Sequence, residues 1–340
     1  MPTIRQLAKL AGVSPAAVSL ALRGLPGVSA ATRQRIQELA ATYQYRSSAT
    51  SRADRPERYA TIGYISTSIN SQMYSLVLAG VLDLAFAESV RVVPLQLHDE
   101  SVRDLSLAIT VLVEQGVDGL LLYSTHADVL PAEILLDLAS RDIAMVCIDL
   151  APAARPLDRV SVESERVGHL AIAHLFALGH RDIAIIRYVP DDAHILAMVN
   201  SARRHGMTAR CITLDVPEAL PGLLTDIYRH QPLPTAFVCH NDYCATYALH
   251  FALHQGLQVP RDLSIVGCGN YLLASYSEPP LTTIDYHPHE IGQRALAILL
   301  QRMQAGKPIG QYQAQCVVVE PELILRQSCA PPRHLLPSAP

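Results

Sequence analysis

The chain has no apolar run of 18 or more residues, so no helix in it is expected to span a bilayer. Its first residues do not form a charged stretch followed by an apolar one. That speaks against secretion and for a cytoplasmic protein. There is no G-x-S-x-G elbow and no Walker loop, and Gly267-Cys268-Gly269 lacks the third glycine of a dinucleotide fingerprint. The seven cysteines lie mostly inside apolar runs, as Cys147, Cys239 and Cys316 do, which is the pattern of reduced, buried thiols rather than a disulfide framework. His250 and His254 stand four apart on a helical stretch, and His287 and His289 flank Pro288. Neither pair comes with a spaced Cys or Glu set, so no metal and no cofactor is expected. Cys239, His240, Asp242 and Cys244 are nucleophile-type residues, but a strand-to-helix junction explains the cluster better.

What is present points to more than one domain. The 340 residues are long for a single domain and suggest two or three, and half of them are hydrophobic, enough for sizeable cores. Charge is divided unevenly. Residues 1–58 hold nine Lys/Arg against three Asp/Glu, a net of +6, while the remainder holds 18 against 28, a net of −10. An electropositive head that meets phosphate and an acidic body that does not would produce this split.

Three short amphipathic helices run through Thr3–Tyr45. Ile4, Leu7, Ala8 and Ala11 make one face of the first, and Thr3 with Gln6 reads as a capping box. Gly12 ends that helix, Ser14 caps the next, and Pro15 takes its first position, where a missing N–H costs nothing. Val18, Ala21 and Leu22 form the buried face of the second helix. Ser29 caps a third, whose inner face is Ile36, Leu39, Ala40 and Tyr43. Two helices joined by a tight turn and braced by a third form a helix-turn-helix, whose second helix fits the DNA major groove. Any small three-helix bundle shares that geometry.

Residues 46–58, RSSATSRADRPER, are polar and closed by a proline, as a linker is. From Thr61 apolar strands alternate with helices. Strands are expected at Thr61–Ser66, Arg91–Leu97, Gly119–Tyr123 and Ala144–Ile148. After Pro152–Pro156 they resume at Arg159–Val162, Ile183–Arg187, Ala209–Leu214, Ala236–Cys239 and Ser264–Val266. Near-continuous apolar strands between helices argue for parallel sheets covered on both faces. Two such blocks suggest two lobes with a cleft between them, where ligands bind outside the carboxyl ends of the strands.

The run IRQLAKLAGVSPAAVSLALRGLPGVSAATRQRI closely resembles the head of the lactose-repressor/galactose-repressor (LacI/GalR) family of bacterial transcription regulators. Its A-G-V-S turn and V-S-x-x-T-R start of the third helix both match. Further along, AIAHLFALGHRDIAII, the segment from PTAFVCHND to DLSIVG, and PPLTTIDYHPHEIG resemble the same family, so the likeness spans roughly residues 1–330. It implies an all-α helix-turn-helix head at 1–46, a hinge or linker at 47–58, and a two-lobed periplasmic-binding-protein-like α/β core with parallel sheets at 59–330. A Pro-rich tail follows at 331–340. The likeness also implies three chain crossovers, expected near Asp158–Val160, Ile284–His287 and Gln313–Cys316, and a homodimer, since the tail carries no heptad.

The resemblance carries over residue by residue. Base contacts fall to Pro15, Ala16 and Leu20, and phosphate contacts to Ser14, Ser19, Ser29, Thr32 and Arg33, with Thr3, Ala17 and Arg23 at the same face. Relatives commonly have Arg where Leu20 stands. Leu20 either touches a thymine methyl or packs inside, and Ser29 is a helix cap, a phosphate contact or both. In the cleft, Tyr74 stacks on the effector or belongs to the core. Asp149, His194, Asn241, Asn270 and Tyr286 are the further effector candidates, Asn241 facing the cleft while Asp242 caps the helix after it. Two departures stand out. His194 replaces the family's ligand-gripping Arg, and Gly269 replaces its acidic residue. In the linker, Asp54 stands where the family inserts a leucine into the minor groove. No Leu, Ile, Val, Met or Phe occurs between Arg46 and Arg58, so binding without a hinge wedge is expected.

The function expected is sequence-specific binding to an inverted-repeat operator in double-stranded DNA by a repressor. A small molecule between the lobes, a sugar or sugar derivative, modulates it. A regulator answering to a partner protein is the alternative, ahead of an enzyme fused to a DNA-binding head.

Overall fold

The computed structural model describes residues 4–22, 27–43, 59–67, 71–98, 101–123, 130–148, 157–188, 193–306, 309 and 313–335. Thr3, Arg23, Asp149 and the linker with Asp54 lie outside these residues, as do the side chains of Ala16 and Ser19.

The head is α1 (Ile4–Ala11), α2 (Pro15–Leu22) and α3 (Ala30–Thr42). Gly12 ends α1 at φ +69°, a left-handed conformation that glycine enters at little cost. The Ser14 hydroxyl accepts from the Ala17 N–H at 3.2 Å and starts α2. Leu7, Ala8, Ala11, Val18, Ala21, Ile36 and Ala40 form the buried centre. Tyr43, expected on the inner face, is 45% exposed. It is the residue that caps α3, beyond the last helical turn, so the helical stripe no longer aims its ring inward.

The first lobe runs β1 (Thr61–Ser66), α4 (Gln72–Ala87), β2 (Arg91–Gln96), α5 (Val102–Glu114), β3 (Gly119–Tyr123), α6 (Ala132–Ser140), β4 (Ala144–Ile148) and β5 (Asp158–Val162). The second runs α7 (Ser164–Ala177), β6 (Asp182–Arg187), α8 (Ala193–Arg204), β7 (Thr208–Thr213), α9 (Leu220–His230), β8 (Ala236–Cys239), α10 (Asp242–His254), β9 (Ser264–Cys268), α11 (Leu272–Tyr276) and β10 (Thr282–Asp285). The chain then returns through α12 (Pro288–Ala305) and β11 (Cys316–Val319), and β12 (Glu322–Ile324) goes to the second lobe. Each sheet has six strands, ordered β11-β5-β4-β3-β1-β2 and β12-β10-β9-β8-β6-β7. Central strands such as β3 and β4 are buried throughout, while the edge strands β2 and β7 alternate, since one face and one edge meet water.

Two expectations need correction. Asp158–Val160 is not a crossover. These residues lie inside β5, paired with β4 and β11 of the first sheet, and the chain leaves only after Val162. Gln313–Cys316 likewise leads into β11, and the passage to β12 falls at Glu320–Pro321. Apolar pattern marks a strand but not its partner, which is why β5 read as the start of the second block. The middle crossover does fall at Tyr286–His287, between β10 and α12. The sheets are parallel except that β12 pairs antiparallel with β10.

The return path is locked to the first lobe. A Cβ on Gly80 of α4 would meet the His289 carbonyl, and one on Gly292 of α12 would meet the Val77 carbonyl, so these helices touch backbone to backbone. At the far end of α12, Arg302 donates to both oxygens of the fully buried Asp158 at 2.8 and 2.9 Å, and the Gln315 N–H adds a third bond to that carboxylate. In the second lobe, buried His180 bridges Thr235, Ser264 and the Ala330 carbonyl at 2.8–3.1 Å.

Candidate functional site

The head presents α2 and the start of α3 as one surface. Ser14, Pro15 and Ser29 are exposed, and Ala17, Leu20, Thr32 and Arg33 are half-buried. Ser29 accepts from the Thr32 N–H at 3.2 Å and shares a 2.7 Å bond with the Thr32 hydroxyl. It is thus a helix cap, and its remaining capacity faces solvent. Leu20 lies against Gly27, where an added Cβ would sit 3.3 Å from its methyl, so it packs on the turn with part of its side chain open.

In the core the carboxyl ends of both sheets are lined with rings. Tyr74, in the first turn of α4, is half-buried with its ring 4.3 Å from that of Tyr123, the last residue of β3. The buried Tyr64 hydroxyl reaches the Tyr74 carbonyl at 3.4 Å. His194 and Tyr286 are both buried and stack at 5.4 Å with 16° between planes, which joins α8 to the middle crossover. His194 therefore stands as a packed ring and not as a projecting side chain. Tyr188, just after β6, meets the His240 ring edge-on at 5.1 Å.

The cap expected of Asp242 falls to Asn241, and Asp242 is buried inside the lobe. Asn241 is the cap of α10, accepting from the Cys244 N–H at 3.0 Å. Asp242 is fully buried and accepts from the Tyr271 N–H and the Thr283 hydroxyl, both at 2.6 Å. Burial raises its carboxyl from the ordinary 3.8 to about 7, against the pull of those two donors. Asn270 adopts φ +49° and spends its amide inside the protein, donating to Asp285 at 2.8 Å and accepting from Arg326 at 2.7 Å. Sequence reasoning missed Tyr123, Tyr188, Tyr271 and Arg326. The two tyrosines that end β3 and follow β6 were open to the rule that ligands gather at strand carboxyl ends.

The thiols beside the cleft are not poised as nucleophiles. Burial pushes Cys244 up to about 11 and Cys239 well above its usual range, so both stay protonated near neutral pH. Among the described residues no group of three or more His, Cys, Asp and Glu can hold a metal, and no helix is long and apolar enough to cross a membrane.

A capped helix-turn-helix ahead of a two-lobed, ring-lined α/β core defines a DNA-binding regulator built on a ligand-binding fold. Residues 3–48 match the bacterial regulatory proteins of the lacI family, and residues 172–329 match the periplasmic binding protein-like domain. The HTH-type transcriptional repressor PurR of Actinobacillus pleuropneumoniae is 28% identical over 341 residues, covering 96% of this chain and 98% of its own. The lac repressor dimer bound to operator and the anti-inducer ONPF shares the fold with a TM-score of 0.71, at 23% identity over 97% of this chain and 99% of that one. A LacI family transcriptional regulator from Mycobacterium smegmatis has a TM-score of 0.65 at 28% identity, over 80% of this chain and 99% of its own. The chain thus joins a LacI-family helix-turn-helix domain to a periplasmic-binding-protein-like domain. It is a transcription regulator rather than an enzyme.

Proposed function

We propose that two copies of this chain, in the cytoplasm, place their heads on an inverted-repeat operator and repress transcription. A small molecule held between the lobes alters that affinity. The observation that carries the DNA reading is the surface of α2 and α3. Ser14 and Ser29 cap the two helices with their hydroxyls at the exposed end, Pro15 is open, and Arg33 stands beside them. Helix N-termini of this kind take phosphate, and α2 then lies along base edges in the major groove. Thr3, Ala16, Ala17, Ser19, Leu20 and Arg23 belong to the same proposed surface. Leu20 cannot grip guanine through two hydrogen bonds, so its contact is apolar.

The effector reading rests on the rings of Tyr74, His194 and Tyr286, with Asn241 and Asn270 just past the carboxyl ends of β8 and β9, and Asp149 is a further proposed contact. A carbohydrate-related effector fits the family. It would bind without the cation and the acid that His194 and Gly269 replace. Control by a partner protein is the second reading, supported by His194 being stacked in the core and Asn270 being engaged on both sides.

Selection from random duplex DNA with the full-length protein tests the first part. An enriched inverted repeat is expected, with affinity falling steeply as salt rises. No enriched repeat would sink the regulator assignment for this site. Calorimetry of the full-length protein against sugars, nucleosides and phosphosugars tests the second part, and heat with none of them would favour the partner-protein reading.

A further inference from the structure

His250 and His254 stand four apart near the end of α10, on one face of the helix. Their Nε2 atoms are 3.0 Å apart, one ring donating to the other, and the rings tilt by 58° with centroids 4.2 Å apart. Two imidazole nitrogens on one zinc ion, at its usual bond length, stand about 2.9–3.4 Å apart as the angle at the metal opens from right to tetrahedral. The pair therefore already has the bite of a chelate. Both side chains are exposed, so each ring can turn its nitrogen from its neighbour onto an ion. Other histidines are spent on the protein itself. His289 meets the Asp83 carboxylate at 2.7 Å, and His205 meets the Ser201 carbonyl at 2.9 Å.

The pair also faces open space. It lines a groove of about 430 Å³ between α9 and α10, whose other wall includes Gly222, Thr225, Asp226 and Arg229. Those four recur at helical spacing, as one face of α9 does. A Cβ on Gly222 would meet nothing within 4 Å, so the groove has room there for an ion with its water. Asp226 and Arg229 are largely exposed and pair with each other at 3.5 Å. This wall thus offers one charge of each sign and no net repulsion to a cation.

We propose that His250 and His254 together bind one divalent transition-metal ion of the zinc, nickel and copper class, through both Nε2 atoms, with water in its remaining positions. Imidazole suits these metals. Two protein ligands make an open, exchangeable site, whereas a structural one closes with four. An open site agrees with the lack, among the described residues, of any group of three or more ligating side chains. On binding, the ring that donates to its neighbour moves its proton from Nε2 to Nδ1, which frees both Nε2 lone pairs for the metal. The ion then ties the last turns of α10 together. Only the folded helix holds the two rings at this spacing, so the metal stabilises the folded second lobe. The site stands apart from the cleft and needs neither the effector nor the operator reading.

Titration calorimetry of the full-length protein with nickel chloride tests this. Other histidines and the exposed Cys211 and Cys316 also take nickel, so the result is read as the difference between wild type and variants. His250→Ala and His254→Ala should each weaken the tightest site at least about a hundredfold, as a chelate becomes a single imidazole. The double variant should look like either single, because one site is lost once. Without metal all four proteins should melt alike, since both side chains are exposed. Nickel should raise the melting temperature of the wild type well above its effect on the variants. Equal nickel affinity in the wild type and both single variants would overturn the site. So would a wild-type affinity no tighter than about 1 mM, which is too weak to hold an ion.

Discussion

The head and the core spend their polar side chains differently. In the head, Ser14 binds Ala17 and Ser29 binds Thr32, partners three residues away that stay near solvent. In the core, Asp158 binds Arg302 from 144 residues away, His180 binds Ser264 from 84, and Asp242 binds Thr283 from 41, each with a buried acceptor or ring that water does not reach. A local, wet hydrogen bond trims the end of one helix, and its loss is partly made good by water. A remote, buried one decides which element lies against which, and its loss leaves a polar group with no replacement partner. The head can therefore serve as a reading surface whose exposed residues vary cheaply, while the polar groups of the core hold its topology.

The largest test of this contrast is Arg302→Ala. It leaves the Asp158 carboxylate buried with only the Gln315 N–H, and should cost the core about 3–5 kcal/mol in denaturant unfolding. A loss no bigger than that of a surface change would break the comparison. The next is Asp242→Asn. The folded protein raises this carboxyl from 3.8 to about 7, so the folded state holds a proton that the unfolded chain has released. The stability it contributes is fully present below about pH 4 and is lost as pH rises through about 7. At about 1.4 kcal/mol for each tenfold change in protonation, that is a loss of a few kcal/mol. In the variant, melting curves taken between pH 4 and 8 should lose this dependence. If the slope persists, another group is responsible.

Ser29→Ala should cost the head about 1 kcal/mol through the lost cap. Ser29→Asp sharpens the result, since aspartate caps well but repels phosphate. It should keep the head's melting temperature and weaken binding to every DNA sequence alike. Equal operator affinity for wild type and the Asp variant would make Ser29 a cap alone. The smallest effect is expected for Arg141→Ala, which removes an exposed pair with Asp137 four residues away, at 2.9 Å. No more than about 0.5 kcal/mol should be lost in thermal unfolding, and less at high salt.

Much of this molecule was legible one residue after another. The turn at Gly12, the caps at Ser14 and Ser29, and the bounds of β1, β3, β4 and β8 follow from periodicity, glycine and capping chemistry, which act over a few residues. So does the division into a basic head and an α/β body. Tertiary structure alone decided which sheet β5 and β11 join, because a strand's partner is chosen by the whole fold and leaves no mark on its own pattern. It also gave the cap of α10 to Asn241 and buried Asp242, turned Tyr43 outward, and made a stacked core ring of His194. The glycine at 269 shows the limit most clearly. As sequence it is a lost acid. Only the packed chain shows that a tyrosine two residues on fills the space, with its backbone N–H held by the carboxyl of Asp242 in α10.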